Sequence, residues 1–369
     1  MNQQVSNPLS GPHTHGKEDT PKIMRLVLLA LTPATAFGIY QFGWPALFLW
    51  LITILSCIIF EAFSLWLARK PILSYIGDGS AILTGWLLAM TLPPWAPWWI
   101  GVLGGAIAII LGKQVFGGVG QNIFNPAMLA RVALLISFPV QMTLWVNPLP
   151  MFSAMAPGFV DGLLITLKGF SIDAYSGASV MGHVKTEISN GATLTAALSQ
   201  TYDNTALALG FVNGSLGETS ALLILLGGLY LMRKKIISWH IPVAMIVSTA
   251  LLATIMHSID PEHYADALFH VMSGGLILGA FFIATDLVTS PNTKTGQLIF
   301  GAGCGLLVYV IRTWGGYPEG VAFAVMLMNA VVPLIDHYVR PRIYGHARSG
   351  KTLQYSEKKL ARVQQAGED

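Results

Sequence analysis

The chain has 369 residues, 53% of them hydrophobic and 11% charged, with a net charge of +3. Soluble domains carry roughly 25% charged residues, so no soluble fold of this length could cover its surface from this supply. The 10% aromatic content and the long apolar runs exclude disorder as well, which leaves an integral membrane protein. Cys57 and Cys304 both fall inside apolar runs and read as small buried residues rather than a disulfide or a metal site.

Residues 1–22 form a polar N-terminal segment with no apolar core and no small-residue cleavage site, so the first apolar run is expected to direct insertion. Ten apolar runs follow, with cores near 26–40, 44–67, 80–92, 97–112, 124–145, 219–232, 239–256, 271–285, 296–311 and 318–336. The expected fold class is an all-α polytopic membrane protein of about ten transmembrane helices. Several runs fall short of the ~20 residues of an unbroken spanning helix. Those from Leu83 to Leu92 and from Leu276 to Thr285 are short, glycine-bearing and stopped by polar residues or proline.

Ten spans put both termini on one side. With the N-terminus inside, 18 of the 21 Lys and Arg, Arg131 among them, fall on inner segments, and only Lys168, Lys185 and Arg312 fall outside. This positive-inside asymmetry makes both ends cytoplasmic. The expected domains are a cytoplasmic segment 1–22, a first five-helix half 23–145, an outer segment 146–218, a second half 219–337 and a basic cytoplasmic tail 338–369. The tail solvates the inner face near anionic headgroups.

The halves resemble each other. Gly79-Ser-Ala-Ile-Leu-Thr-Gly85, running on to Thr91 and Pro93, recurs as Ser273-Gly-Gly-Leu-Ile-Leu-Gly279, running on to Thr285, at an offset of 194 residues. Phe116-Gly-Gly118 recurs as Trp314-Gly-Gly316 at an offset of 198. Five spans per half is an odd number, so the copies are expected to be inverted, with a site between them lined by broken helices. Shared glycine-rich composition is the alternative explanation of the match.

Three segments carry possible chemistry. Between the fourth and fifth runs, Gly117, Gly118 and Gly120 free the backbone, and Gln121, Asn122 and Asn125 supply amides that both donate and accept. These amides suit the polar edge of a flat heterocycle, or they cap the fifth helix with Pro126 in its first turn. In the outer segment, Asp173-Ala-Tyr-Ser176-Gly177-Ala178-Ser179 sets a hydroxyl among small residues, and Thr193 follows in Asn190-Gly-Ala-Thr193. Small neighbours leave room for an attached group, and a plain turn uses the same residues. Glu61, Arg131, Asp286 and Asp336 are the ionisable residues expected at membrane depth, where such groups mark ion or proton paths. His183, His257 and His263 lack a metal-ligand constellation, and neither a catalytic residue nor a nucleic-acid partner is expected.

These segments together are similar to the NqrB/RnfD family, the D subunits of Rnf complexes and, more distantly, the B subunits of sodium-pumping NADH:quinone reductases. The resemblance runs through Ala96-Pro-Trp-Trp99, Gly117 to Ala127, Ser137-Phe-Pro-Val-Gln-Met142, Trp239-His-Ile-Pro242, Gly279 to Asp286, Gly315 to Ala324 and Arg340-Pro-Arg-Ile-Tyr-Gly-His346, in order along nearly the whole chain. It implies an electron-carrying subunit of an ion-translocating ferredoxin:NAD⁺ oxidoreductase in the bacterial inner membrane. It implies partner subunits A, B, C, E and G, and a flavin transferase for maturation. It implies FMN tied through its phosphate to Ser179 in the periplasmic segment, with Asp173, Ser176, Gly177 and Ala178 as the surrounding motif. Ser179 stands where the family pattern has Thr. Thr193 has the family residue but lacks an Asp six positions earlier. The resemblance further implies a non-covalent riboflavin near Asn122 and Asn125. A secondary transporter or channel without flavin is the rival reading of the repeat.

Overall fold

The computed structural model describes residues 19–169, 176–177, 179–191, 193–194, 196, 210–317 and 319–341. The first helix, α1 (Thr20–Leu67), has 48 residues. At 1.5 Å per residue it is about 72 Å long, more than twice the ~30 Å hydrocarbon thickness. It does not cross in one pass, because at Gly43 (φ 75°, ψ −160°) the backbone leaves the helix. The two legs, 20–42 and 44–67, divide where the first and second expected spans divide. The break frees carbonyls that the helix would otherwise satisfy. Trp95 Nε1 donates to Phe42 O at 2.9 Å, and the backbone N–H groups of Leu149 and Met151 donate to Gln41 O and Tyr40 O at 2.9 and 2.6 Å.

Among the described residues the further helices are α2 (Ile72–Ile76), α3 (Ser80–Thr91), α4 (Trp98–Ala106) with a π-helical continuation Ile107–Gln114, α5 (Pro126–Ser137), α6 (Pro139–Thr143), α7 (Phe159–Lys168), α8 (Val180–Ser189), α9 (Ala221–Arg233) after a 3₁₀ turn at Leu216–Glu218, α10 (His240–Ile259), α11 (Ala267–Met272), α12 (Leu276–Leu278) with a π-helical continuation Gly279–Ile283, α13 (Lys294–Trp314) and α14 (Val321–Tyr338). Two short strands, β1 (Trp145–Val146) and β2 (Ser176–Gly177), pair antiparallel. The helices α1, α10, α13 and α14 are long and apolar enough to cross a membrane, and α3, α4 with its continuation, α5 and α9 are shorter apolar helices. The protein is a polytopic membrane protein.

Two expected runs are not single helices. The run at 124–145 ends as a helix at Ser137, because Pro139 disfavours the helical region for Phe138, whose φ is −133°. The run at 271–285 begins with a separate helix, α11, and Gly274 (φ 67°) then turns the chain before α12.

The second leg of α1 meets α4, and α10 meets α13, through small residues. On α4, a Cβ at Gly105 would lie 3.1 Å from Ser56 Cβ and 3.2 Å from Cys57 N, and Ser56 Oγ donates to Gly101 O at 3.2 Å. On α13, a Cβ at Gly301 would lie 2.6 Å from Ile241 O and 3.1 Å from Ile241 Cα, and Thr249 Oγ1 donates to Gly305 O at 3.0 Å. Glycine lets the backbones touch, which is how helices associate where lipid removes the hydrophobic drive. Gly301→Ala meets backbone that cannot yield and is expected to cost about 1–3 kcal/mol. Gly316→Ala, with nothing within 4 Å of the added Cβ, should leave the thermal unfolding midpoint in detergent unchanged. The main buried cluster joins Leu31, Leu88 and Ile100 of the first half to Phe281, Phe300 and Val308 of the second, so the halves share one core.

Candidate cofactor sites between the halves and on the outer segment

After the first π-helical stretch the chain turns through Gly117, Gly118 and Gly120, at φ of 118°, 109° and 87°. Only glycine adopts such a series without strain. The turn delivers Asn125 to the N-cap of α5, where Oδ1 accepts from Ala127 N at 3.1 Å and Met128 N at 3.3 Å. Asn125 Nδ2 donates across the halves to Ile283 O at 3.5 Å. Asn122 Nδ2 donates to Phe124 O at 3.1 Å. Asn125 is therefore a helix cap, one of the two roles its chemistry allowed.

Both asparagines are buried, and both line a cavity between the N-terminal and C-terminal halves of the chain. Ser80, Thr84 and Lys113 face it from the first half, and Phe281, Phe282 and Asp286 from the second. Mostly apolar walls with a few convergent polar groups are the ordinary form of a small-molecule site. A flat ring system with one polar edge fits that donor set.

A buried network runs beneath the cavity. Lys113 Nζ lies 2.5 Å from Glu61 Oε1 and donates to Ser80 Oγ at 2.6 Å. Ser80 Oγ donates to Asp78 Oδ1 at 2.5 Å, and Gln114 Nε2 donates to Glu61 Oε1 at 3.0 Å. Glu61 is 1% exposed, and its Oε2 has no partner among the described residues. Of the other expected membrane-depth acids, Asp286 accepts from Val288 N and Thr289 Oγ1 at 3.4 and 3.1 Å, and Asp336 accepts from Asn292 N and Nδ2 at 3.2 and 3.1 Å. Both hold turns.

The structure also assembles a cluster that sequence reasoning missed. Arg131, Glu218 and Glu319 line a second cavity. Arg131, 6% exposed, lies 3.6 Å from Met142 Sδ and 6.0 Å from the Trp145 ring centroid. Arg312, expected in an outer loop, is buried in the last turn of α13. Its Nη2 contacts Glu319 Oε1 at 2.9 Å and Ser273 O at 3.1 Å, and its Nη1 contacts His270 O at 2.6 Å. Glu319 also accepts from Gly275 N at 3.2 Å. The one local signal was the Ser215-to-Glu218 capping box.

On the outer segment, Ser179 caps α8, its Oγ accepting from Gly182 N at 3.2 Å, and it is 4% exposed. The β1–β2 pairing fixes the backbone of Ser176 and Gly177 just before it. Asp173 and Ala178 lie outside the described residues. The first-turn N–H groups of a helix have no internal partner and complement a phosphate, so the start of α8 fits the phosphate end of FMN. Thr193, the rival hydroxyl, is exposed and accepts from Ala196 N at 3.4 Å. Farther along α8, Lys185 Nζ donates to Arg312 O at 3.1 Å, to Gly315 O and to Tyr317 O at 3.5 Å, tying the helix to the end of α13. Burial holds the Lys185 ammonium below the usual lysine range.

The NQR2, RnfD, RnfE family matches residues 8–345. A relative from Halorhodospira halophila is 53% identical over 350 residues, covering 95% of this chain and 98% of the relative. One from Stutzerimonas stutzeri is 55% identical over 338 residues, covering 91% and 95%. One from Rhodobacter capsulatus is 50% identical over 305 residues, covering 82% and 85%. Each of the three is named as the D subunit of an ion-translocating oxidoreductase complex. The chain belongs to the NQR2, RnfD, RnfE family.

Proposed function

We propose that the protein is the electron-transfer membrane subunit of an ion-translocating ferredoxin:NAD⁺ oxidoreductase, moving Na⁺ or H⁺ across the bacterial inner membrane with subunits A, B, C, E and G. Its ten spans form two inverted five-helix repeats with both termini cytoplasmic. FMN, attached by a flavin transferase, is tied through its phosphate to Ser179 on the periplasmic side. A riboflavin sits between the halves at Asn122 and Asn125. The observation that carries this reading is the cavity at Asn122 and Asn125, set between the halves with a polar edge and aromatic walls.

Bound flavin supplies the one-electron redox chemistry. The protein's residues hold it in place and exclude water. Asn125 ties the start of α5 to Ile283 through Nδ2 while its Oδ1 caps the helix. Phe281 and Phe282 close the second-half wall. Lys113 brings a cation to the first-half wall while paired to Glu61. At the outer site the start of α8 supplies N–H groups to the phosphate, and Lys185 fixes α8 against α13.

The test is in-gel flavin fluorescence after denaturing electrophoresis, on protein made with its flavin transferase. Wild type should fluoresce, Thr193→Ala should match it, and Ser179→Ala should lose the signal. Loss only in Thr193→Ala would move the anchor to the exposed hydroxyl. A dark wild type would favour the transporter reading, which predicts substrate flux in liposomes and no flavin. Asn122→Ala should lose riboflavin extractable from the native protein while keeping the covalent signal.

A further inference from the structure

In its ten residues, α7 (Phe159–Lys168) carries charge only at Asp161 and Lys168. Its contact with the rest of the protein is narrow. Gly162 and Thr166 are buried, and a Cβ at Gly162 would lie 2.6 Å from Trp44 Cβ. Phe159 completes an aromatic group, its ring centroid 5.0 Å from that of Trp44 and 5.2 Å from that of Phe48. The remaining apolar residues face outward, with Val160 66%, Leu164 43% and Leu167 50% exposed, and Phe152 and Met155 before the helix more exposed still. A patch of this kind needs a partner.

Two observations identify the partner. First, α7 packs on the residues directly after Gly43, where the two legs of α1 meet, so it sits at the level where the membrane legs end. The approach to α7 lies at the same level, because Leu149 and Met151 bond to the last carbonyls of the first leg. Second, the outward stripe of the second leg, Leu51, Leu55, Ile59 and Phe63, starts one turn beyond Phe48. The apolar face of α7 thus continues a surface that already faces lipid.

We propose that α7 is an interfacial helix, lying in the outer leaflet with its apolar face among lipid acyl chains, and that it anchors the outer segment to the bilayer surface. Interfacial helices of this type bury one face roughly 5–10 Å into the headgroup and acyl boundary. The β1–β2 pair closes the base of the excursion, so the anchor sets the height of the backbone leading into α8.

Cys57 and Cys304 are fully buried, so an introduced cysteine on α7 can be labelled selectively within this chain. Leu163→Cys, Leu167→Cys and Asp161→Cys chains would carry an environment-sensitive fluorophore in the assembled complex, reconstituted into phosphatidylethanolamine/phosphatidylglycerol vesicles and compared with complex lacking the added cysteine. Labels at 163 and 167 should emit blue-shifted and lose most of their emission to lipids bearing a nitroxide near the headgroup, with little loss to aqueous iodide. The label at 161 should show the reverse preference, which also reports that the helix is folded. Strong iodide quenching at 163 and 167 would overturn the proposal. Protection of those labels from both quenchers would also overturn it, by assigning the face to a neighbouring subunit.

Discussion

Replacing Lys113 with methionine is expected to lower unfolding stability by about 3–5 kcal/mol, the cost of removing one partner from a buried ion pair. The expectation rests on what remains. Glu61 would keep Gln114 as its only described donor, and its Oε2 already lacks one. Ser80 would lose the ammonium at 2.6 Å and keep only Asp78. Glu61→Gln should cost less, since an amide carries no charge to strand. Glu61→Met combined with Lys113→Met should recover much of the loss, because two apolar side chains leave no uncompensated charge. Chemical denaturation in detergent, followed by tryptophan emission, measures all three. Equal stability of Lys113→Met and wild type would show that the pair does not hold the two helices. The exposed Asp260–His263 contact is an internal control. His263 holds the Asp260 carboxyl below its ordinary range, so any stability it adds is present above that range and fades as pH falls through the depressed value. Removing His263 at neutral pH should leave the midpoint unchanged.

Arg312→Met should have an effect of similar size, about 3–5 kcal/mol, for a different reason. The guanidinium bridges three groups from separate segments: the carbonyls of His270 and Ser273 on the α11 side and the Glu319 carboxylate before α14. Methionine takes the guanidinium from both carbonyls and leaves the Glu319 carboxylate with the Gly275 N–H alone among the described donors. Arg312→Lys keeps the charge but loses the planar fork, so it should restore only part of the loss. Hydrogen exchange adds a second readout, since amides around Gly275 should lose protection before those of α10 and α13. Exchange rising uniformly across the chain would refute a local tie.

Much of this arrangement is legible residue by residue. The divide between residues 40 and 44 follows from Gly43 and Pro45, and the Gly117-to-Asn125 turn announces itself by glycines followed by capping amides. The phenylalanines and the asparagines are readable as neighbours only through the repeat, because 158 residues separate Asn125 from Ile283. The Arg131, Glu218, Arg312 and Glu319 cluster is not legible. Arg131 and Glu319 lie in different runs, Glu218 and Arg312 lie one residue outside two others where a charge is ordinarily solvated, and only tertiary packing encloses them. Pro139 is a visible stop signal inside the 124–145 run, but hydropathy outweighs a single breaker in any window. The π-helical stretches leave no local mark, since they reflect packing against neighbours rather than the preference of their own residues.

The junction at Gly43 also sets an order of events during synthesis. Its two legs emerge from the ribosome early, but the groups that close the gap come later: Trp95, then Leu149 and Met151. At 5–20 residues per second, the last of these follows Gly43 by roughly 5–20 seconds. For that interval the carbonyls of Tyr40 and Gln41 are without the donors that Leu149 and Met151 later supply. The outer segment therefore closes the first hairpin retroactively, and any truncation before residue 151 leaves the earliest-made part of the protein unfinished at its outer end.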